Sequence, residues 1–352
     1  MKKNHTKSTK MRILVIRFSA MGDVALTTPV ITGMRASHPD VEIVMLTRSA
    51  FKSFFAEEDR LKLFFPDFRG RHKGFIGIIR IFIDLRKTGK FDHVVDLHNV
   101  IRSKILGLLF WFIGATVTVV NKGRAEKRRL IKGVEKRQLK HSVERYLETF
   151  KQAGFLVNIP DSPWIRPSEN AFEKLPELFE NGNVLNIGVA PFAKHPLKMW
   201  SENYMAQLLQ LVSKDRNVKF WFFGGKEDEA QLEVLAAKFE NAYCFAGKHT
   251  LDIELAAISK LDFMIAMDSS NMHIAALVST KVISIWGATD PLAGFGAWNQ
   301  SESYSIRIST EELTCRPCTV FGKGTCIGGD FACMKMLTPE IVYDRIIKLG
   351  LL

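Results

Sequence analysis

The stretch that decides the fold lies near the amino end of the chain and reads Arg17-Phe18-Ser19-Ala20-Met21-Gly22-Asp23-Val24. It follows a short apolar run, residues 13–16, and precedes a run with helical spacing. This order predicts a strand, a turn and a helix. Because ligands of open α/β sheets bind outside the carboxyl ends of the strands, we expect Asp23 at the ligand-binding edge of a parallel sheet.

Asp23 follows a glycine, and glycine lets the backbone turn tightly beside a ligand. A carboxylate would repel a bound phosphate, so the pattern favours a general base facing an acceptor over a dinucleotide-binding loop. The other interpretation is a carboxylate that only caps the helix, which Asp often does at such positions. On these residues alone, capping is the more common role.

The chain has 352 residues, of which 47% are hydrophobic, so it is long enough for two domains with sizeable cores. Its net charge of +12 is unevenly shared. Residues 1–160 carry 31 Lys or Arg against 14 Asp or Glu, and residues 161–352 carry 18 against 23. This asymmetry predicts an anionic partner for the first half, such as nucleic acid, acidic lipid head groups or a phosphorylated sugar.

The densest basic run, Lys122–Arg145, holds ten basic and three acidic residues. Charge runs are most often solvated surfaces. A nucleic-acid-binding protein would use such a run with interleaved aromatic side chains, and residues 122–144 contain none. We therefore expect no nucleic-acid partner.

Residues 105–120 carry no charge, but they are too few to cross a bilayer. The residues of this stretch that follow Gly114 and Ala115 are all β-branched. This pattern predicts the end of a buried helix, a turn and a core strand. We expect a cytoplasmic protein that is peripheral to the inner membrane.

Strand-like and helical runs alternate in both halves, which predicts a parallel sheet covered on both faces in each. The predicted strands are Ile13–Arg17, Glu42–Leu46, Leu61–Phe65, His93–Leu97, Thr116–Val120, Asn186–Ala190, Lys219–Phe223, Phe263–Ala266 and Val282–Trp286. The predicted helices are Val24–Ser37, Ile101–Ile113, His141–Ala153, Glu202–Val212, Asp228–Glu240, Asp252–Lys260, Met272–Val278 and Pro339–Leu349. Three prolines within Asn158–Ser168 indicate a linker. We expect two doubly wound Rossmann-like domains, residues 1–160 and 161–337, facing each other across a cleft, and a final helix at 338–352.

In the second half, Asp268-Ser269-Ser270 lies between a predicted strand and a helix that begins near Asn271. A helix amino terminus offers free N–H groups to an anion such as a diphosphate. Ser269 and Ser270 add hydroxyl donors, and Asp268 can hold a sugar hydroxyl. A capped helix without a ligand is the other interpretation.

Two further loops would face the same cleft. Lys198 follows the first strand of the second half and can neutralise a departing phosphate. Glu227 or Asp228 follows Gly224-Gly225 after a strand and can accept from ribose hydroxyls, as in other α/β nucleotide sites. A solvated lysine and a plain first-turn acid are the alternatives.

Four cysteines, Cys315, Cys318, Cys326 and Cys333, have the spacing C-x2-C-x7-C-x6-C in a Gly-rich stretch. Four thiolates in a cytosolic protein suggest a structural zinc or, less well, an iron–sulfur cluster. Because the second pair is wider than in a zinc ribbon, reduced and packed cysteines are an equal alternative.

Over nearly its whole length the chain resembles the bacterial heptosyltransferases of lipopolysaccharide core assembly. The resemblance is carried by Ser19–Val24 with Thr28-Pro29, Asp96-Leu97-His98 with Arg102-Ser103, His141–Arg145, Lys198-Met199-Trp200, Gly224-Gly225, Ala246-Gly247-Lys248 with Leu255-Ala256, Asp268–Ala276 and Gly287–Pro291. It implies the GT-B fold and an inverting, metal-independent transfer that requires no cofactor. The chain has no Asp-x-Asp motif for a divalent ion.

The resemblance also implies roles for single residues. Asp23 would be the base that deprotonates the acceptor hydroxyl, Lys198 would contact the donor diphosphate, and Asp228, or its neighbour Glu227, would contact the ribose. The donor-sugar and phosphate loop would contain Asp268, Ser269, Ser270 and His273. The basic first domain would take an anionic, lipid-linked sugar acceptor, with contacts from the matching motif residues His98, Arg102, His141 and Arg145.

The sequence therefore predicts transfer of heptose, or a related sugar, from a nucleotide-diphosphate donor such as ADP-heptose to a lipopolysaccharide core acceptor at the inner face of the cytoplasmic membrane. Family members usually have glycine where this chain has Ser270, and often where it has Asn99. This departure leaves open a different donor, such as a hexose or N-acetylhexosamine nucleotide. A nucleic-acid-binding protein or a catalytically idle assembly partner are alternatives of another class.

Overall fold

The structure is a computed structural model that describes residues 11–55, 61–175, 179 and 184–352. The chain forms two compact units. Unit 1 contains the described residues up to Lys122 and Val143–Pro160, whereas unit 2 contains Gly123–Ser142 and Asp161–Leu352. The basic segment 123–142 thus belongs to unit 2, although it precedes residue 160.

Strands and helices alternate along the described chain. The strands are β1 Arg12–Ile16, β2 Glu42–Leu46, β3 Leu61–Phe64, β4 His93–Asp96, β5 Thr116–Val119, β6 Leu185–Ala190, β7 Val218–Phe222, β8 Ala242–Cys244, β9 Phe263–Met267, β10 Lys281–Ile285 and β11 Ser305–Ile306. The helices are α1 Met21–Ala25, α2 Thr28–Ser37, α3 Gly74–Lys87, α4 Ile101–Phe112, α5 Arg124–Ile131, α6 Ser142–Gln152, α7 Glu169–Glu173, α8 Glu202–Asp215, α9 Glu229–Ala236, α10 Leu251–Ser259, α11 Ser270–Leu277, α12 Ala332–Lys335 and α13 Pro339–Lys348. Short 3₁₀ helices lie at Ser49–Phe55, Pro196–Lys198, Lys226–Asp228, Pro291–Ala293 and Glu302–Tyr304.

Unit 1 is built on a parallel sheet with the order β3-β2-β1-β4-β5. β1 is fully buried and central, with Ile13 paired to Ile43 of β2 and to His93 of β4. The chain moves from β1 toward one edge and returns through β4 toward the other, so the strand order reverses between β1 and β4. This reversal opens a crevice at their carboxyl ends, where ligands of such sheets bind.

Unit 2 repeats the plan with the order β11-β10-β9-β6-β7-β8, again all parallel. Its strand order reverses between β6 and β9. The loops that follow these strands carry Lys198 and Asp268, so the topology places both residues at one sheet edge.

The predicted α/β class with two doubly wound sheets is confirmed, and the predicted strands match the observed ones to within one residue at each end. The single helix predicted over Val24–Ser37 is wrong, because the chain forms α1 and then α2. Pro29 lies in the first turn of α2, where its missing N–H costs no helical hydrogen bond. The strands β8 and β11 were not predicted.

The prediction that Ile105 belongs to a buried helix leading to a core strand is wrong in part. Leu108, Trp111 and Phe112 of α4 are more than half exposed, and β5 is the edge strand of its sheet. An edge position leaves one side of α4 without a neighbouring element, which explains the exposure. Within the described ranges, no helix combines the length and apolarity needed to cross a bilayer.

Candidate active site

Asp23 lies in the first turn of α1, directly after the loop that leaves β1. Its Oδ2 atom accepts the N–H of Ala20 at 3.3 Å and lies 2.5 Å from Arg17 Nη2. The Arg17 side chain is buried, whereas 33% of the Asp23 side chain is exposed. The carboxylate therefore stabilises the start of α1 and remains accessible to a ligand, so the two interpretations of the sequence do not compete.

Arg17 is fixed by its neighbours in unit 1. Its Nη1 atom donates to the carbonyl oxygen of Leu97 at 2.6 Å, and its Cζ atom lies 5.9 Å from the centre of the Tyr146 ring. Burial lowers the pKa of Arg17, but Tyr146 and Asp23 raise it, and the resulting pKa lies above the ordinary value. A permanent guanidinium charge favours the ionised carboxylate of Asp23.

Arg17 and Tyr146 were not predicted as site residues. The Tyr146 hydroxyl donates to the Asp23 carbonyl oxygen at 3.4 Å, and burial raises the pKa of Tyr146 well above its usual range. The phenol is therefore neutral at physiological pH. Arg17 did carry a signal in the sequence, because it is a charged residue directly at the end of an apolar strand.

His98 lies in the loop after β4, close to Arg17. The Asp96 Oδ1 atom accepts the N–H groups of His98 and Asn99, each at 2.8 Å, and Ser103 Oγ donates to the other carboxylate oxygen at 2.7 Å. The pKa of His98 is lowered to about 3, chiefly by burial and then by the charge of Arg17. The imidazole is therefore neutral and can exchange hydrogen bonds with a sugar hydroxyl.

Asn99 adopts a φ of 48°, in the left-handed region. This conformation explains why glycine suits the position and why asparagine, the side chain that tolerates it best, replaces glycine here. Arg102 is partly exposed, with its Cζ atom 4.2 Å from the centre of the Phe68 ring. Arg145 is buried, and its Nη1 atom lies 3.4 Å from the Asn121 carbonyl oxygen.

His141, which was predicted to contact the acceptor, belongs to unit 2. Its ring stacks on Trp298 with centroids 4.9 Å apart, and its Nε2 atom lies 3.0 Å from the Gly296 carbonyl oxygen. Burial lowers the pKa of His141 to about 3, and the nearby His273 lowers it as well. The structure thus groups His141 with Trp298 and His273 in unit 2.

Lys198 and Asp268 meet in unit 2. Lys198 Nζ lies 2.7 Å from Asp268 Oδ2 and 3.3 Å from the Asp268 carbonyl oxygen. Thr289 Oγ1 donates to the same Oδ2 atom at 2.8 Å. A Cβ on Gly322 would lie 2.6 Å from Lys198 Cγ, so the glycine leaves room for the lysine stem. The two side chains are 16% and 6% exposed, so the pair lies in a largely buried environment.

The helix α11 begins directly beside this pair. Ser269 occupies the position before its first turn, and Ser270 is the first helical residue. The Ser269 Oγ atom is buried, and no hydrogen-bond partner for it is found among the described residues. His273 is buried on the same helix. A free hydroxyl next to helix N–H groups and an ammonium group makes a site for an anion.

Asp228 and Glu227 lie in the 3₁₀ helix after β7. Asp228 Oδ2 accepts the N–H of Gly225 at 2.8 Å and so fixes the glycine turn. Glu227 is exposed, and Asp228 is partly exposed. Asp228 therefore forms a structural hydrogen bond, and its side chain is partly exposed.

The predicted structural zinc is not supported. Across residues 11–55, 61–175, 179 and 184–352, no group of three or more His, Cys, Asp or Glu side chains is arranged to hold a metal. Cys333 packs in the hydrophobic core of unit 2, whereas Cys315 is exposed. Burial raises the pKa of Cys333 to about 11.

Arg316, which lies between Cys315 and Cys318 in the sequence, connects several segments of unit 2. It is buried and donates to the carbonyl oxygens of Gly287 at 2.6 Å and Thr289 at 3.0 Å. Its Nη2 atom lies 3.4 Å from Asp290 Oδ2, a carboxylate oxygen that is itself buried. Arg316 thus positions Thr289, which in turn holds Asp268.

The chain has detectable relatives among known proteins. The sequence profile described as Glycosyltransferase family 9 (heptosyltransferase) matches residues 78–323. Lipooligosaccharide heptosyltransferase 2 of Campylobacter jejuni is 22% identical over 344 residues, covering 97% of this chain and 99% of that protein. Lipopolysaccharide heptosyltransferase 2 of Escherichia coli K12 is 24% identical over 351 residues, covering 96% and 97%.

Solved structures agree on the fold. A glycosyl transferase family 9 protein from Veillonella parvula superposes with a TM-score of 0.76 at 19% identity, covering 97% of each chain. The ADP-heptose lipopolysaccharide heptosyltransferase II of E. coli gives a TM-score of 0.68 at 17% identity, covering 96% of this chain and 98% of that one.

Two doubly wound units that resemble these solved structures define a glycosyltransferase of the GT-B class. Because the family profile matches well over half of the residues, the chain belongs to glycosyltransferase family 9, the heptosyltransferase family. The protein is therefore an enzyme. This assignment replaces the two alternatives raised by its sequence, a nucleic-acid-binding protein and a catalytically idle assembly partner.

Proposed function

We propose that the enzyme transfers heptose from ADP-heptose, with inversion, to a lipid-linked acceptor of the lipopolysaccharide core. Membership of the heptosyltransferase family supports heptose as the transferred sugar. The similar E. coli heptosyltransferase WaaC has been solved with ADP and with ADP-2-deoxy-2-fluoro heptose. Relatives that cover nearly the whole chain are named for lipopolysaccharide or lipooligosaccharide.

The observation that carries the proposal is the Lys198–Asp268 pair beside the start of α11. In the proposed complex the diphosphate accepts hydrogen bonds from the Lys198 ammonium, from Ser269 Oγ and from the first N–H groups of α11. Lys198 already lies 2.7 Å from a carboxylate, so its charge is positioned before the donor binds. Asp268 then holds a donor-sugar hydroxyl, His273 lines the same loop, and Asp228 or Glu227 contacts the ribose.

Unit 1 supplies the acceptor site in this proposal. Asp23 is the general base, and Arg17 orients its carboxylate at 2.5 Å. His98 and Arg102 lie within reach of the same crevice and contact the acceptor sugar, whereas the buried Arg145 supports the crevice from α6. His141 lies in unit 2 near His273, and in this proposal it keeps the acceptor contact that the family resemblance implies.

The reaction is a single displacement. The acceptor oxygen forms a bond to the anomeric carbon of heptose as its proton passes to Asp23, and the bond between that carbon and the diphosphate oxygen breaks. The anomeric configuration inverts because the two bonds lie on opposite faces of the carbon. ADP leaves as the anion, stabilised by Lys198 and the helix N–H groups, and these supply the charge for a mechanism that requires no added metal.

A second donor has a specific observation in its favour. Ser270 is the first residue of α11, at a position where the family usually has glycine. Its Cβ limits how closely a phosphate approaches the backbone. The same mechanism with a hexose or N-acetylhexosamine nucleotide is the alternative that this position raises.

A lipid-linked core acceptor implies that the enzyme works in the cytoplasm at the inner face of the cytoplasmic membrane. The positive balance of the first half of the sequence supports an anionic acceptor there.

Calorimetry with ADP, UDP, GDP and CMP, without added divalent metal, tests the donor. Selective binding of ADP, followed by transfer from ADP-heptose to a heptose-free core acceptor, is the expected result. Selective binding of UDP or GDP would replace the donor, and binding of none would contradict the proposed role of Lys198. Repeating the ADP titration with chelator present tests metal independence.

A further inference from the structure

We propose that the outer face of α3 and α4 docks unit 1 onto an anionic lipid bilayer. This inference rests on the proposed function, because a lipid-linked acceptor requires the enzyme to reach a membrane. The sequence predicts an anionic partner for the first half of the chain, in which Lys122–Arg145 is the densest basic run. The structure points instead to a different surface, which combines apolar and basic side chains.

The α3–α4 face is an exposed apolar surface on two helices that pack against each other in unit 1. Its apolar members are Phe75, Ile76, Ile79, Ile83, Ile101, Leu108, Trp111, Phe112 and Ile113. Each of these side chains is more than a third exposed, and together they form a large share of the exposed bulky apolar side chains of the described chain. Contiguous apolar surface of this kind marks a site of interaction with another protein or a membrane.

Helical periodicity shows that these residues form stripes. On α3, Phe75, Ile79 and Ile83 are spaced four apart, whereas the buried Ile81 lies on the opposite side. On α4, Ile101, Leu108 and Phe112 share one side, and Leu106 and Phe110 point into the core. Phe82 and Phe110 join the two helices edge to face, with ring centroids 4.9 Å apart. Both stripes therefore lie on the outer side of one helical layer.

Basic side chains surround the stripes. Residues 69–113 contain nine Lys or Arg and three Asp. Arg80, Arg86 and Lys87 flank the apolar stripe of α3, and Lys104 lies within that of α4; all four are exposed. Asp84, the one acid of α3, is paired with Arg71 at 2.7 Å. An apolar stripe with a cationic border, together with an exposed Trp and Phe, is the pattern of a helix that lies in the interface of an anionic membrane.

A groove extends from this face to the carboxyl edge of the sheet beside the loop that contains His98. It has a volume of ≈ 600 Å³ and runs between α4 and the edge strand β5. Leu108, Trp111 and Val117 line it, and Asp96 and Asn99 lie at the carboxyl edge of the sheet. An acceptor embedded in the bilayer could therefore present its sugar to the loop of His98 while the enzyme stays on the surface.

Flotation with lipid vesicles, without substrates, tests the docking face. Wild-type protein should bind vesicles that contain phosphatidylglycerol and bind weakly to pure phosphatidylcholine. The variant W111S/F112S should lose vesicle binding by about tenfold or more, since each side chain buries apolar surface in the interface. The variant K87E/K104E should lose at least about fivefold for each charge, and the loss should diminish in high salt.

Two matched controls make the result specific. Leu156→Ser removes an equally exposed apolar side chain of unit 1, outside the α3–α4 face, and should not change vesicle binding. R128E/R129E reverses two exposed charges of α5 and tests the alternative surface. Unchanged binding of W111S/F112S, or loss only in R128E/R129E, would overturn the proposal.

Further measurements distinguish this proposal from dimerisation through the same face and from misfolding of the variants. Sedimentation velocity shows whether the face pairs two copies of the chain, and a dimer that W111S/F112S abolishes would replace the bilayer as the occupant. Circular dichroism and ADP titration verify that the variants are folded. In activity assays, Phe112→Ser, which changes the exposed face but none of the residues that line the groove, should keep transfer to a soluble, deacylated acceptor and reduce transfer to a vesicle-borne one. Failure of ADP binding in the wild type would overturn the proposed function while leaving the vesicle result intact.

Discussion

Arg17 and Asp23 form an ion pair of 2.5 Å in which the cation is buried and the carboxylate is partly exposed. The pair joins the end of β1 to the first turn of α1, so the backbone fixes both partners. A surface ion pair contributes little to stability. Here the geometry has a different consequence, because the buried guanidinium orients a carboxylate whose side chain is still 33% exposed.

Asp23→Asn should abolish transfer while leaving the affinity for ADP unchanged. The amide keeps the shape of the carboxylate but cannot accept the acceptor proton, and loss of a general base costs at least about 100-fold in rate. Turnover and ADP calorimetry on the same preparation check this. Asp40→Asn, at an exposed position after α2, serves as the control. A variant that lost ADP affinity would remove Asp23 from the acceptor side of the reaction.

Lys198→Met should weaken ADP binding about 10- to 100-fold, the effect of losing a hydrogen bond to a charged group of ~1.5–3 kcal/mol. Methionine keeps the stem that packs near Gly322 and removes only the charge. Lys194→Met, an exposed lysine of the same loop, is the matched control and should bind ADP normally. Equal affinities for wild type and Lys198→Met in calorimetry would exclude the lysine from the diphosphate site.

Much of the fold follows from local sequence patterns. Apolar runs of four to six residues bounded by polar turns identified β1 and β9 because such strands are buried on both faces. The strands β8 and β11, of three and two residues, carry no such run. Their formation depends on the neighbouring strand that offers hydrogen bonds, which a local pattern does not contain.

The candidate site also depends on contacts that a local sequence pattern does not contain. Asp268 and Lys198 could each be selected from position and residue type, but their mutual contact joins segments that are 70 residues apart. His141 was assigned to the first half by sequence position, yet its stacking on Trp298 places it in unit 2. The cysteine spacing suggested a metal, whereas Cys333 is packed in the core. Long-range packing decides each of these cases.

The partly buried histidine His141 should make the stability of the protein fall at acidic pH. Its pKa is about 3 in the folded protein and about 6.5 in the unfolded chain. Between these values the unfolded chain binds a proton that the folded protein does not, so the free energy of unfolding decreases as the pH is lowered. The decrease is at most about 1.4 kcal/mol per pH unit for one such group.

His141→Gln removes this titration and keeps a donor for the Gly296 carbonyl oxygen. Denaturant unfolding at several pH values should give a shallower slope for the variant between about pH 6.5 and pH 4, and parallel curves above about pH 7.5. Identical slopes over the acidic range would show that His141 is protonated in the folded state.

Arg316→Met should destabilise unit 2 by about 3–5 kcal/mol, because it leaves the buried carboxylate of Asp290 with much less compensation. It should also weaken ADP binding, since Arg316 holds the Thr289 carbonyl and Thr289 holds Asp268. The double variant R316M/D290N should recover part of the stability because the uncompensated charge is gone. Denaturant unfolding of the three proteins checks this, with Arg345→Met, an exposed position on α13, as the control. A cost below about 1 kcal/mol for Arg316→Met, or no recovery in the double variant, would mean that Asp290 is compensated by Arg307, which lies 3.4 Å away, rather than by Arg316.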